Sequence, residues 1–203
     1  MSEATELDSD LFELAMSAKA QPLMDAVKKH ITENVEPIVE EFYALEEKKT
    51  DRWSWHPRQL ELLEGAKNKA KESGLWNFFL PDSDTGEGLS NLDYAYIATE
   101  LGKVPLASET LNCSAPDTGN MEVLERVGTP EQKEKWLKPL LNGEIRSAYA
   151  MTEPGLPSSD AKNISTQAVL DGDDWVINGE KFYISGAGDP RCKIMITMVR
   201  TSP

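Results

Sequence analysis

Cysteine and histidine are scarce, with two of each in 203 residues. Cys113 and Cys192 lie far apart in the chain and neither has a C-x-x-C partner, so buried free thiols account for them. His30 and His56 are too few for a compact metal-ligand cluster. Neither lies near Ser158-Ser159-Asp160, and no G-x-S-x-G elbow occurs, so serine hydrolase chemistry lacks its base. Basic charge is also in deficit. Against 35 Asp and Glu stand 21 Lys and Arg, a formal net charge of −14, which opposes attraction to a phosphate backbone or an anionic bilayer. Nucleic acid and membrane are therefore not expected partners. The acidic opening Met1 to Asp8 has neither the cationic start of a signal peptide nor the Arg-rich character of a mitochondrial presequence, and a cytoplasmic location is expected. Gly86-Glu87-Gly88 and Gly186-Ala187-Gly188 each supply only part of a dinucleotide fingerprint, and neither sits between a strand and a helix, which argues against a Rossmann fold.

What is present suffices for a globular core: 39% of residues are hydrophobic and five are Trp. Leu23, Val27, Ile31, Val35, Ile38, Phe42 and Leu45 recur at steps of three or four and draw one apolar stripe down a helix, with Pro37 a kink or break. The acid-rich stretch Glu33 to Glu47 reads as the solvated face of that helix. A second helix is expected from Pro57 to Ser73, stopping at Gly74, and a third from Leu92 to Leu101 with Asn91 as N-cap and Gly102 at its end. Pro116 to Val127 reads as another, ended by Gly128. Thr129-Pro130-Glu131-Gln132 combines an N-cap, a proline at the first helical position and a reciprocal Gln, so Pro130 to Leu141 is the best-marked helix.

Beyond Arg146 the pattern changes. Arg146 to Thr152 reads as a short strand entering Glu153-Pro154-Gly155-Leu156-Pro157-Ser158-Ser159-Asp160, where two prolines and a glycine forbid regular structure. Strand runs follow at Asn163 to Leu170, Trp175 to Ile177 and Glu180 to Ile184. The first pair is separated by Asp171 to Asp174. The second is separated by Asn178-Gly179, the preferred pair of a type I′ hairpin. Lys193 to Val199 is nearly all apolar, as in a strand buried on both faces. An antiparallel meander with a polar loop at one rim is the expectation. Loop N–H groups and the hydroxyls of Thr152, Ser158, Ser159 and Ser185 suit a planar heterocycle rich in acceptors, against which Tyr183 could lie flat. The same hydroxyls also serve as ordinary turn donors to their own backbone, and spacing does not separate the two readings.

Met151-Thr152-Glu153-Pro154, then Ser159-Asp160, then Trp175-Val176-Ile177-Asn178-Gly179-Glu180-Lys181-Phe182-Tyr183-Ile184-Ser185 closely resemble the signature of the acyl-CoA dehydrogenase family of flavoenzymes. The resemblance is long and ordered, running from the T-E-P loop through the hairpin to the aromatic-x-Ser/Thr. Asn112 to Glu122 and Ser185 to Ile194 resemble one branch, linked to 4-hydroxy fatty acid breakdown, whose animal members carry the module behind a kinase-like domain.

The resemblance implies an α+β architecture. It predicts an all-α domain over residues 1–145 and the start of an antiparallel β-barrel over 146–203, with the family's C-terminal helical bundle absent from this chain. It implies bound FAD and oxidation of an acyl-CoA thioester to its trans-2-enoyl product, as in β-oxidation of fatty acids, with electrons passed to an electron-transfer flavoprotein and a homo-oligomeric assembly. In the family a glutamate of the third domain removes the α-proton while the β-hydrogen leaves as hydride to the flavin. No catalytic residue is thus expected in this chain, the family glutamate lying beyond Pro203, and Glu153 is expected to be structural. Tyr149, Met151 and Thr152 align with the strand and loop that meet the flavin edge. Ser158 and Ser159 align with the end of that loop, Ser159 also with the family's contact to the CoA portion of substrate. Tyr183, Ile184 and Ser185 align with the second flavin contact. The loop from Thr152 to Asp160 is one residue longer than the common form, Ser158 stands where glycine is usual, and Tyr183 stands where Trp is frequent. An acyl-CoA oxidase of the same fold, or a non-catalytic module that binds acyl-CoA or supports a partner subunit, are the alternatives; flavin colour and its bleaching by substrate separate the last from an enzyme.

Overall fold

The computed structural model describes residues 14–80, 86–157 and 160–202. The chain divides into two compact units, residues 1–42 with 62–111, and residues 43–61 with 112–203. Helices come first and strands last, as the sequence leads one to expect.

The first helical run comprises α1 (Gln21–His30), a π-helical turn at Ile31–Val35 and α2 (Glu36–Ala44). Pro37 has no N–H to give, so continuous α-helix would leave a carbonyl one turn back unpaired. The π turn takes up the mismatch, the Glu36 N–H reaching the Ile31 carbonyl. The expected kink is thus a widened turn and the helix runs on. From the apolar stripe Val27, Ile31, Val35, Phe42 and Leu45 are buried, and Met24 and His30 join that face. The Thr110 hydroxyl donates to the Ala107 carbonyl at 2.8 Å, which leaves its oxygen to accept from His30 Nε2 at 3.1 Å. Burial keeps the His30 pKa below the ordinary 6.5.

The second helix, α3 (Pro57–Glu72), ends at Gly74, whose φ of +70° suits a residue without Cβ. The third, α4 (Asn91–Leu101), is capped by Ser90 rather than Asn91. The Ser90 side chain accepts the Asp93 N–H, and Asn91 is the first helical residue. Asp93 in turn accepts from the Ser17 N–H at 2.7 Å and the Ser17 hydroxyl at 3.0 Å, so the serine is fixed by a partner far away in sequence. A short α5 (Ala107–Thr110) completes this part.

In the second unit α6 (Asp117–Val127) precedes a helical run made of α7 (Pro130–Gln132), a π turn at Lys133–Leu137 and α8 (Lys138–Leu141). Thr129 and Gln132 form the reciprocal capping box expected for that run. Met121, Leu124, Leu137 and Leu140 from these helices are buried with Ala148 and Ala150 of the first strand.

The strands depart from a simple meander. β1 (Arg146–Ala150) pairs with β4 (Cys192–Thr197) in parallel, and β2 (Gln167–Asp171) with β3 (Asp174–Asn178) antiparallel, giving two two-stranded sheets among the described residues. Asn163, expected to open a strand, is instead the last residue of a 3-10 turn at Ala161–Asn163. Gly172, with φ +64°, turns the β2–β3 hairpin at the first central position, as a type II′ turn requires. Residues 180–184 form no strand, and Asn178-Gly179 makes no hairpin. Gly179 is needed for another reason: a Cβ there would lie 2.3 Å from Thr166 Oγ1 and 2.7 Å from its Cα. β4 is not buried on both faces but alternates half-buried and exposed residues. Among the described residues no helix is long and apolar enough to cross a membrane, and no group of three His, Cys, Asp or Glu side chains is placed to hold a metal ion.

The two glycines should respond differently to alanine. At Gly172 the space is open and only the positive φ opposes a side chain, a cost of about 1 kcal/mol. At Gly179 the new methyl must displace the Thr166 backbone, so the loss in urea unfolding should be the larger, about 2–3 kcal/mol; equal losses would contradict the close approach.

Candidate functional site

The site is organised by one carboxylate. Glu153 leaves β1 at the start of the proline-rich loop, and only 3% of its surface is exposed. Its Oε2 accepts from the Ser165 N–H at 2.7 Å and the Ser165 hydroxyl at 2.6 Å. Its Oε1 accepts from the Thr166 N–H and from Lys181 Nζ, both at 2.9 Å. Burial alone would raise the Glu153 pKa, but the bonds from Ser165, Thr166 and Lys181 outweigh it and hold the carboxyl far below the ordinary 4.5. Such a group is held in its ionised form near neutral pH, with both oxygens occupied as acceptors. It cannot serve as a proton-abstracting base near neutral pH, in keeping with the structural role expected for it.

Lys181 extends the clasp. Besides Glu153 it donates to the Met151 carbonyl at 3.0 Å, and the next residue, Phe182, gives its N–H to the Thr152 carbonyl at 2.9 Å. Met151-Thr152 and Tyr183-Ile184-Ser185, thirty residues apart in sequence, are therefore neighbours along one rim. Tyr149 is 38% exposed and Tyr183 84% exposed, while Thr152 and Ser185 face solvent and Met151 and Ile184 are half-buried. Tyr183 has φ +53°, uncommon for an aromatic residue, and its ring stands 4.0 Å from that of Phe182. A strained, exposed aromatic beside free-facing hydroxyls is the kind of outlier that marks a ligand rim. Ser158 and Ser159 lie outside the described residues.

The loop after Ser185 is pinned by a second clasp that carries no local signal in the sequence. Trp55 Nε1 donates to Asp189 Oδ1 at 3.2 Å, and the Arg191 guanidinium lies 4.2 Å from the centre of the Trp55 ring. Asp189 also accepts from Arg191 Nη2 at 2.8 Å. Burial opposes its charge, yet the Arg191 bonds leave its pKa below the ordinary value. Gly188 lies so near Trp53 that a Cβ would come within 2.2 Å of the indole. The partners are 134 residues apart for the Trp55–Asp189 bond, which is why spacing could not disclose them.

The acyl-CoA dehydrogenase N-terminal domain profile matches residues 17–144, and the acyl-CoA dehydrogenase middle domain profile matches residues 148–203. The chain belongs to the acyl-CoA dehydrogenase family. It is 55% identical over 143 residues to the Mycobacterium tuberculosis protein FadE2, named as an acyl-CoA dehydrogenase, covering 70% of this chain and 34% of that one. It is 46% identical to acyl-CoA dehydrogenase family member 11 of Mus musculus, over 95% of this chain and 24% of the relative. Among solved structures, one from Mycobacterium abscessus described as an acyl-CoA dehydrogenase superposes with a TM-score of 0.85 at 46% identity, covering 93% of this chain and 47% of that one. A Bacillus anthracis acyl-CoA dehydrogenase complexed with FAD superposes with a TM-score of 0.62 at 27% identity, over 93% of this chain and 30% of that one. The chain thus spans less than half the length of each of these proteins.

The Glu153 clasp makes a pH-dependent prediction. Because the folded-state pKa is depressed, its contribution to stability is fully present above about pH 4.5 and is lost as pH falls toward the folded value. Glu153→Gln should lower stability at pH 7 by about 2–3 kcal/mol and flatten the acid limb of the stability profile, followed by urea unfolding from pH 7 to pH 3. An acid limb of unchanged slope would contradict the assignment.

Proposed function

We propose that this chain supplies the flavin-facing and CoA-facing part of an FAD-dependent acyl-CoA dehydrogenase. The observation that carries the reading is the rim on which Thr152 and Tyr183-Ile184-Ser185 meet through the Phe182–Thr152 backbone bond. Its exposed hydroxyls and aromatic face have the chemistry an isoalloxazine needs, because that ring system is planar and rich in carbonyl and ring-nitrogen acceptors. FAD, when bound, supplies the redox chemistry, taking up the hydride equivalent lost from the acyl β-carbon.

The chain's own residues orient. Tyr149, Met151 and Thr152 would border one edge of the ring, Ser158 and Ser159 would belong to the same cofactor-binding set, and Ser159 would also serve the CoA portion of substrate. Tyr183, Ile184 and Ser185 would form the second flavin contact, Tyr183 with its aromatic face and Ser185 with its hydroxyl. Glu153 holds the segments in register and takes no proton. The α-proton is removed by a glutamate that lies beyond Pro203, the product is trans-2-enoyl-CoA, and the electrons go on to an electron-transfer flavoprotein. A helical domain over residues 1–145, a β-domain from residue 146, a cytoplasmic location and a homo-oligomeric assembly belong to the same reading, as does a part in fatty acid β-oxidation.

The test uses the flavin spectrum of the purified protein. Anaerobic addition of an acyl-CoA should bleach the flavin band; a protein that retains no flavin, or whose flavin is unaffected by any acyl-CoA, would contradict the reading. Ser185→Ala should weaken flavin retention or shift its band, by about tenfold in dissociation constant for one lost hydrogen bond to the ring. Ser159→Ala should raise the acyl-CoA KM more than it changes flavin content, and the reverse order would move that serine away from the substrate.

A further inference from the structure

One stretch that resembled a particular branch of the family, Asn112 to Glu122, has no part in the rim itself. Asp117 and Asn120 stand three residues apart in the first turn of α6, on one helical face, and each is only 2% exposed. Asp117 Oδ1 accepts from the Ser147 N–H at 2.7 Å and from the Ser147 hydroxyl at 2.5 Å, and Oδ2 pairs with Arg146 Nε. Asn120 Nδ2 donates to Ser147 Oγ at 2.9 Å and to the Ala148 carbonyl at 3.1 Å. The Ser147 hydroxyl therefore gives its proton to Asp117 and takes one from Asn120, which fixes its direction. A carboxylate in the first turn of α6 also meets the positive end of the helix dipole.

These bonds fall where the β1 ladder is irregular. Arg146 pairs with Cys192 but Ser147 with Ile194, so one residue of β4 is skipped between them. Bulges of this kind loosen the ladder and re-aim the side chains that follow. Along β1, Ser147 and Ala148 are buried, Tyr149 is exposed and Ala150 is buried. A slip of one residue would turn Tyr149 inward and an alanine outward.

We propose that Asp117 and Asn120 are positioning residues that set the register of β1 at its bulge and so present Tyr149, Met151 and Thr152 to the flavin. The inference rests on the flavin-facing reading of that strand given above. Neither side chain touches the cofactor; both act through Ser147 and Ala148. Four hydrogen bonds from two buried side chains converge on two residues of one strand, a degree of buried polarity that apolar packing alone would not require.

The test is FAD binding by Asn120→Ala and, as a milder change, Ser147→Ala, which removes only the shared hydroxyl. Apo-protein is titrated with FAD by flavin fluorescence, the absorption band of the complex is recorded, and the thermal midpoint is measured alongside. Ile97→Val, a buried change in α4 of the other compact unit, serves as a control that lowers the midpoint. The expected result is a dissociation constant for FAD raised about tenfold in Asn120→Ala, with a shifted band, against an unchanged constant in the control. An unchanged constant and band in Asn120→Ala, with only the midpoint lowered, would overturn the positioning role. Should Asn120→Ala not fold, Ser147→Ala decides by the same two readouts. A parent protein that does not bind FAD would overturn the functional reading and this inference with it, whereas a parent that binds FAD and variants that bind it equally well would overturn the inference alone.

Discussion

A buried carboxylate with four donors is the constraint on which the site depends. An ionised group as enclosed as Glu153 is costly unless its oxygens are bonded, and the chain satisfies them from two separate segments: Ser165 and Thr166 after the proline-rich loop, and Lys181 after the hairpin. The requirement works in both directions. Removing any of these donors leaves charge unmet, and moving any segment breaks a bond. The Met151-Thr152 and Tyr183-Ser185 segments are therefore held in one arrangement without strand pairing to each other, and the Phe182–Thr152 backbone bond follows from that arrangement.

Two further polar anchors tighten the same frame from outside. Asp117 and Asn120 hold β1 just before the rim, and Trp55 with Asp189 and Arg191 holds the loop just after it. Each joins a residue of the helical or linking segments to the β region. The exposed rim can then carry a strained residue such as Tyr183, since the energy of a positive φ is met by surroundings that are fixed independently.

Much of this was legible in the sequence, for reasons that differ by element. The helix from Pro130 could be read because its start is written locally, in Thr129 and Gln132. The stripe from Val27 to Leu45 could be read because burial follows a fixed period. The cap of α4 was misplaced by one residue because Ser90 and Asn91 are both good caps, and the choice was made by Ser17 and Asp93. No strand forms at 180–184: the Phe182 N–H goes to the Thr152 carbonyl, and the Lys181 side chain reaches back to Met151 and Glu153. Gly179 looked like a hairpin glycine and is a close-approach glycine, a distinction that only the position of Thr166 reveals. At the site, the motif gave the two rim segments, whereas the clasps behind them lie in long-range pairs whose residue types are ordinary.

The most direct measurement is amide hydrogen exchange at Ser165, Thr166 and Phe182 in the native protein. If the Glu153 clasp holds the rim, all three amides are strongly protected although Ser165 and Phe182 lie in exposed, irregular segments, and all three lose protection together when Lys181 is replaced by Met. Exchange of these amides at the rate of an unstructured chain, or loss of protection at one of them alone, would contradict the account.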